Sequence, residues 1–200
     1  SSGGDEIDFE AHAISGYFES GTGTADDPYI ISNAYHFYNL AWLQNLGKFT
    51  SETHFELKEG IGSIDVAGQL DGTTGKSGAI PPIGSTQTPF IGHFDGNGVV
   101  IKNLWVSTDP ADWYEQPYDV SAYDYASNTD VGLFGSVAYG ANITNFYVEN
   151  IEVTNTISGT ADTPVNLGIV AGSVMIEITE LIMLCQNIKL VLFQVCQDGT

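Results

Sequence analysis

Residues 107–130 concentrate side chains that could bind a sugar, and they contain no lysine or arginine. Aromatic rings stack on sugar rings, while carboxylates accept hydrogen bonds from hydroxyl groups or bind calcium. The candidate ligand contacts are Trp113, Tyr114, Tyr118, Tyr123, Tyr125, Asp112, Glu115, Asp119 and Asp124. We predict a ligand-binding site here, with no cofactor and no metal site; calcium is the alternative. The alternative is that the aromatic rings only hold this segment against the flank of the domain.

The sequence lacks the common motifs of nucleophilic and metal catalysis. No Gly-x-Ser-x-Gly motif occurs, and Cys185 and Cys196 lie in an apolar segment without a neighbouring histidine. The histidines lack metal-ligand spacing and stand at His12, His36, His54 and His93. We therefore predict no catalytic residues and a non-enzymatic protein. The alternative is a polysaccharide hydrolase or lyase that uses a pair of the abundant carboxylates.

The charge balance excludes some partners and disfavours others. The 200 residues include 25 Asp and Glu against five Lys and no Arg, for a formal net charge of −20. A nucleic-acid ligand needs basic groups to neutralise its phosphates, so we predict none. An anionic membrane surface is disfavoured for the same reason. No run of 18 apolar residues occurs, so we predict no membrane span.

A short segment recurs along the chain and predicts the fold. Its copies are 90–106 (FIGHFDGNGVVIKNLWV), 131–153 (VGLFGSVAYGANITNFYVENIEV) and the beginning of a third, 167–174 (LGIVAGSV). Each opens with an apolar residue followed by Gly; the first two continue through a Gly- or Asn-containing turn into alternating apolar and polar residues. Repeats of this kind stack on one another. We therefore predict an all-β solenoid in which 107–130 is an insertion.

One helix is predicted, over residues 33–46. Ser32 is the expected N-cap, Gly47 the expected stop, and Phe37, Leu40 and Leu43 give the apolar stripe. A solenoid must cover its open end, where free strand edges would otherwise pair with other chains. We predict that this helix is the N-terminal cap. The alternative is a helix that binds a partner.

The remaining segments define the domain organisation. We predict that residues 1–20 form a tether or a first edge strand and that 21–200 form a single domain. The tail, 175–200, departs from the repeat because its Gly-, Asn- and Thr-rich turns are missing. Two interpretations of the tail stay open. It is a final apolar strand pair that closes the C-terminal end, or it is translated out of frame with the ancestral repeat.

Residues 21–174 resemble GLUG-motif bacterial surface proteins. The most specific match is the FxGxFDGNGxxIxNL pattern at 90–104, and the GLFG step at 132–135 is a second one. The resemblance implies a right-handed parallel β-helix with a helical N-terminal cap. The opening Ser-Ser-Gly-Gly-Asp-Glu is similar to the tether that follows the lipidated cysteine of Bacteroides-type surface lipoproteins, although that cysteine is absent here.

These observations together predict an adhesin-like or structural module on the outer surface of a bacterium or secreted from it, with a lipid anchor as one option. Its partner would be a glycan or a protein of the host or a neighbouring cell. A flat aromatic patch would favour binding, and a pair of carboxylates facing one groove would favour the enzyme. A purely structural stalk is the third option.

Overall fold

The computed structural model describes residues 14–70, 78–114, 130–156, 166–168, 171–174 and 189–192. The helices that lie wholly in this part of the chain are α1 (Ala34–Asn45), the short α2 (Val66–Leu70) and a 3₁₀ turn at Pro110–Asp112. The strands are β1 (Tyr29–Ile31), β2 (His54–Leu57), β3 (Ser63–Asp65), β4 (His93–Asp95), β5 (Val100–Ser107), β6 (Asp130–Val131), β7 (Phe134–Val137), β8 (Asn142–Thr144), β9 (Tyr147–Asn155), β10 (Asn166–Leu167), β11 (Ala171–Val174) and β12 (Lys189–Leu192).

The strands form parallel sheets whose order follows successive passes of the chain. One four-stranded sheet has the order β1-β2-β4-β8, and a second has the order β12-β9-β5-β3. Two shorter sheets pair β10 with β6 and β11 with β7. All of these pairings are parallel. The prediction of a β-rich fold is confirmed, and the strands of one pass lie in register on those of the next.

Strand alternation explains which side chains enter the core. In the second four-stranded sheet, Ile64, Ile101 and Val148 stand in register on adjacent strands, and all three are buried. Leu104 lies opposite Ile151 in the same way. Each large apolar side chain moved from water into such a row stabilises the fold by about 1.5–3 kcal/mol. The in-register rows therefore fix the pairing, since a slip of one residue would expose them.

Four asparagines adopt a left-handed backbone conformation. Asn97, Asn103, Asn145 and Asn150 adopt φ values of 48°, 52°, 50° and 57°. This left-handed region is unfavourable for most L-residues, and asparagine tolerates it best because its short amide bonds locally. Asn103 lies within β5 and Asn150 within β9, each next to a ladder pair. These residues are regular features of the stacked passes.

Helix α1 lies in the connection between β1 and β2, where the prediction placed it. The N-cap is Asn33 rather than the predicted Ser32, because the Asn33 Oδ1 atom accepts the His36 N–H at 2.9 Å. Gly47 follows the helix with φ 69° and donates its N–H to Gln44 O, which fits the predicted stop. Ten of the twelve helical residues are buried, so α1 packs on all sides instead of along one stripe.

The surroundings of α1 explain its burial. On one side, Phe37 meets Phe94 of β4 edge to face at 6.4 Å, and the Asn45 amide donates to Pro82 O at 2.7 Å. On another side, the Asn39 amide donates to Tyr17 O at 2.9 Å. The helix is therefore held between the strand passes and the segment that contains Tyr17.

The two ends of the chain contribute strand-like pairing. The Glu19 N–H donates to Ile30 O, and the Ile30 N–H donates to Ser20 O, so residues 19–20 pair along β1. At the other end, β12 pairs with β9, with Leu190 opposite Val153. Residues 1–13 and most of 175–200 lie outside the described residues, as do the boundaries predicted there. In the part of the chain that is described, no helix is long and apolar enough to cross a membrane.

A candidate binding groove

The structure describes three of the nine predicted ligand contacts. Asp112, Trp113 and Tyr114 belong to the described part of the chain. The other six lie outside it and stay a prediction: Glu115, Tyr118, Asp119, Tyr123, Asp124 and Tyr125.

Asp112 and Trp113 tie the start of the insertion to the domain. Trp113 is only 4% exposed, and its ring lies 6.1 Å from that of Trp42 in an edge-to-face arrangement. The Trp113 Nε1–H donates to Ser107 O at 2.6 Å, and the Ser107 hydroxyl donates to Asp112 Oδ2 at 2.7 Å. Burial of the indole favours the alternative that this aromatic holds the insertion against the flank. Its predicted ligand contact is untested.

Tyr114 continues the same attachment closer to the surface. Its ring meets those of Tyr35 and Tyr38 edge-on, with centroids 5.3 and 5.8 Å away. Burial, with a smaller effect of the neighbouring Tyr114, raises the pKa of Tyr38 above its ordinary value of 10. Tyr35 remains 41% exposed and Tyr114 is half-buried. Tyr35 and Tyr114 thus form a small aromatic surface beside the beginning of α1, next to the buried ring of Tyr38.

A different face of the protein carries a polar groove. It has a volume of about 180 Å³ and lies over the outer surface of β2, β4 and β8. Strand alternation turns every second side chain of these strands outward. The lining residues are His54, Phe55, Glu56, His93, Phe94, Asp95, Asn142 and Thr144.

Two histidines form the centre of the groove. His54 pairs with His93 in the ladder between β2 and β4. Their rings are stacked, with centroids 4.3 Å apart and planes inclined by 16°. Both side chains are half-buried. Among the described residues, no hydrogen bond to either imidazole is found, so their ring nitrogens are open to a ligand.

Two carboxylates lie beside the histidines. Glu56 pairs with Asp95 in the ladder, two residues beyond the histidine pair on each strand. Glu56 Oε2 accepts a hydrogen bond from the Asn97 amide at 3.3 Å. Asp95 Oδ1 accepts the Asn97 N–H at 2.8 Å and the Asn145 amide at 3.0 Å. One oxygen of each carboxylate thus accepts hydrogen bonds from a turn, and no bond from the described residues reaches the other oxygen.

The turn after Asp95 needs a glycine to bring these groups together. A Cβ atom on Gly96 would collide with the backbone carbonyl of Asn145. Gly96 therefore permits the close approach of the two passes, and the Asn145 amide reaches Asp95 across it. The turn at 95–98 therefore holds the Asp95 carboxylate at the edge of the groove.

The groove differs from a preformed metal centre. In the described ranges, no group of three or more His, Cys, Asp or Glu side chains is placed to hold an ion. Its lining includes no lysine, and two lysines elsewhere, Lys58 and Lys102, each form an ion pair, with Glu19 and Glu149. The arrangement offers carboxylate, amide, hydroxyl and imidazole groups to a polar ligand.

Comparison with known proteins gives distant relatives only. The chain is 28% identical over 146 residues to halomucin of Haloquadratum walsbyi, which covers 70% of this chain and 2% of halomucin. It is 27% identical over 163 residues to a "Putative Gly-rich membrane protein" of Evansella cellulosilytica, which covers 80% of this chain and 15% of that protein. The chain thus spans a small part of either relative. No protein-family profile and no solved structure matches it.

Proposed function

We propose that this chain is a non-enzymatic, adhesin-like module that binds a glycan on a right-handed parallel β-helix capped by α1. The parallel order of the two four-stranded sheets supports a β-helix, because successive passes of such a coil pair in parallel. The position of α1 supports its role as the cap. It lies in the connection between β1 and β2, whereas the later connections, from β2 to β4 and from β4 to β8, contain strands.

The observation that carries the binding proposal is the groove of in-register polar side chains. Adjacent parallel strands place His54 beside His93 and Glu56 beside Asp95, so that similar groups repeat across the sheet. Neighbouring strands are about 4.8 Å apart. A sugar polymer, which presents its hydroxyl groups at regular intervals, suits such a repeating row of acceptors and donors.

The location that fits this function is the outside of a cell. The names of the two relatives, a halomucin and a Gly-rich membrane protein, support a place in a secreted coat or at a membrane surface. A net charge of −20 keeps such a module soluble and apart from anionic surfaces. We propose the bacterial surface, with lipid anchoring as one means of attachment.

A glycan array tests the proposal, with and without calcium. The purified chain should bind a defined set of glycans, and the double variant His54→Ala/His93→Ala should lose them. Tyr139→Ala is a matched control, because Tyr139 is 84% exposed on a different turn. Loss on Tyr114→Ala would move the site to the predicted insertion. No binding by the native chain under either condition would contradict the glycan proposal.

A carbohydrate-active enzyme is the second candidate, because two carboxylates, Glu56 and Asp95, line the same groove. A glycosidase keeps one of its two carboxyls protonated, typically in apolar surroundings. Glu56 and Asp95 instead lie in a polar groove, where each accepts a hydrogen bond from an asparagine side-chain amide. Incubation with the glycans that bind, followed by measurement of reducing ends, separates the candidates. Release that Glu56→Gln abolishes would establish the enzyme.

A further inference from the structure

We propose that the groove selects saccharides that carry protonated amino groups, with Glu56 and Asp95 as the groups that hold the ammonium. This inference rests on the proposed glycan-binding function and names the ligand class of that site. The inference is based on the charge of the groove and on the hydrogen bonds that its two carboxylates make to the adjacent turns.

The two carboxylates are placed to act on one ligand. They stand opposite each other on β2 and β4 and both line the groove. Glu56 Oε2 and Asp95 Oδ1 accept hydrogen bonds from turn amides, and no hydrogen bond from the described residues reaches Glu56 Oε1 or Asp95 Oδ2. A carboxylate accepts hydrogen bonds from an ammonium more strongly than from a hydroxyl group, because the bond is charge-assisted at both ends.

The histidine pair complements an amine. A neutral imidazole has one nitrogen that accepts a hydrogen bond and one that donates. When neutral, the stacked rings of His54 and His93 each add one acceptor to the groove that the carboxylates line. Asn142 and Thr144 on β8 supply neutral polar groups for sugar hydroxyls, while Ile30, the neighbour of Glu56 on β1, closes the row with an apolar side chain.

The electrostatics of the whole chain favour the same ligand. Two carboxylates and no lysine line the groove, in a chain of formal charge −20. A uronate or sulfated polymer would be repelled, and a neutral sugar would leave the carboxylates without a charged partner. An amino sugar satisfies both carboxylates, and its association is accelerated by the surrounding negative field.

Isothermal titration calorimetry at low salt tests this assignment with three probes. A deacetylated glucosamine oligomer carries the amines, the matching N-acetylglucosamine oligomer carries none, and a lysine oligomer carries amines without sugar rings. The structure predicts that the native chain binds the glucosamine oligomer at least about tenfold more tightly than the acetylated one. It also predicts that binding weakens as salt is added.

Charge-neutral variants locate the effect. Glu56→Gln and Asp95→Asn keep the shape and an acceptor for the turn amides, and each should weaken binding of the glucosamine oligomer about tenfold. Glu149→Gln is the matched control, because it removes the same charge from β9 in the other four-stranded sheet. It should leave the affinity unchanged. Circular dichroism of each variant verifies the fold.

Several outcomes would overturn the assignment. Equal affinity for the acetylated and deacetylated oligomers would reject the selection of amines while leaving a glycan-binding groove in place. If Glu149→Gln lost as much affinity for the glucosamine oligomer as Glu56→Gln, the effect would be due to the overall charge of the chain and not to the groove. Binding of the lysine oligomer as tight as that of the glucosamine oligomer would reject the saccharide. If none of the probes binds but the glycan array yields ligands, the proposed function survives and this inference fails.

Discussion

The side-chain amide of Asn150 donates a hydrogen bond to Asn103 Oδ1 at 3.1 Å, from β9 to the neighbouring strand β5. The Asn103 amide in turn donates to Asp65 Oδ1 at 3.0 Å. Three successive passes are therefore connected by side chains on the outside of one sheet. Both asparagines hold positive φ values, so the same residues shape the backbone and join its layers.

Replacement of Asn103 should separate these two roles. Asn103→Ala loses both side-chain hydrogen bonds and places a Cβ-bearing residue without a polar side chain at φ 52°, so we expect a loss of about 1–3 kcal/mol in the free energy of unfolding. Asn103→Gly removes the same bonds but adopts this φ without strain, and should lose less. Urea denaturation of the three proteins measures the difference. A glycine variant less stable than the alanine variant would contradict the explanation from strain.

Asp65 should titrate at unusually low pH. The hydrogen bond from Asn103, followed by that from the Gly68 N–H, lowers the pKa of Asp65 below its ordinary value of 3.8. Because the folded pKa is the lower one, this carboxylate stabilises the fold at pH above 3.8 and loses its contribution as the pH falls through the folded pKa. Carboxyl carbon NMR measures the midpoint directly. In Asn103→Ala the midpoint should rise, and an unchanged midpoint would exclude Asn103 as the main cause.

Trp113 should contribute mainly to the stability of the fold. Trp113→Ala removes a side chain that is 4% exposed and packs against Trp42, so we expect a loss of about 3–5 kcal/mol. Trp113→Phe keeps most of the apolar volume and should be less destabilised. Guanidinium unfolding followed by circular dichroism measures both. If Trp113→Ala retains native stability but loses a ligand, Trp113 is a binding residue after all.

The N-cap of α1 should depend on Asn33. Asn33→Ala removes the acceptor of the His36 N–H, which typically costs about 1 kcal/mol. Asn33→Asp keeps an acceptor at the same place and should remain close to the native stability. Ser32→Ala tests the cap expected from the sequence. Thermal unfolding that ranks Ser32→Ala below Asn33→Ala would restore the original assignment.

The sequence predicted those features that depend on local pattern. The apolar–polar alternation around Ile101 and Val148 and the asparagines at turns anticipated strands stacked in successive passes. The helix was found because its apolar residues recur at helical spacing between a start signal, Ser32, and a stop signal, Gly47. The burial of its other faces could not be seen, because that depends on contacts of Asn39 and Asn45 with distant segments.

The groove was missed although the sequence contains its signal. His54-Phe55-Glu56 and His93-Phe94-Asp95 are two copies of one pattern, His-Phe-acidic. Each copy alone does not predict a binding site. The parallel register of β2 and β4 brings the two copies side by side, and this register could not be derived from the sequence. The tail has a similar hidden signal. Asn187-Ile188-Lys189-Leu190 follows the pattern of Asn150-Ile151-Glu152-Val153, and β12 pairs with β9 in that alignment.

The parallel pairing of successive passes also sets how this chain must fold. Each strand pairs with a strand that is distant in sequence, as His54 pairs with His93. These contacts form only after a long loop closes. Folding should accordingly be slow, and it should start where closure is easiest. The segment from β1 through α1 to β2 is such a place, because Tyr29 and its ladder partner Phe55 are closer in sequence than His54 and His93 are.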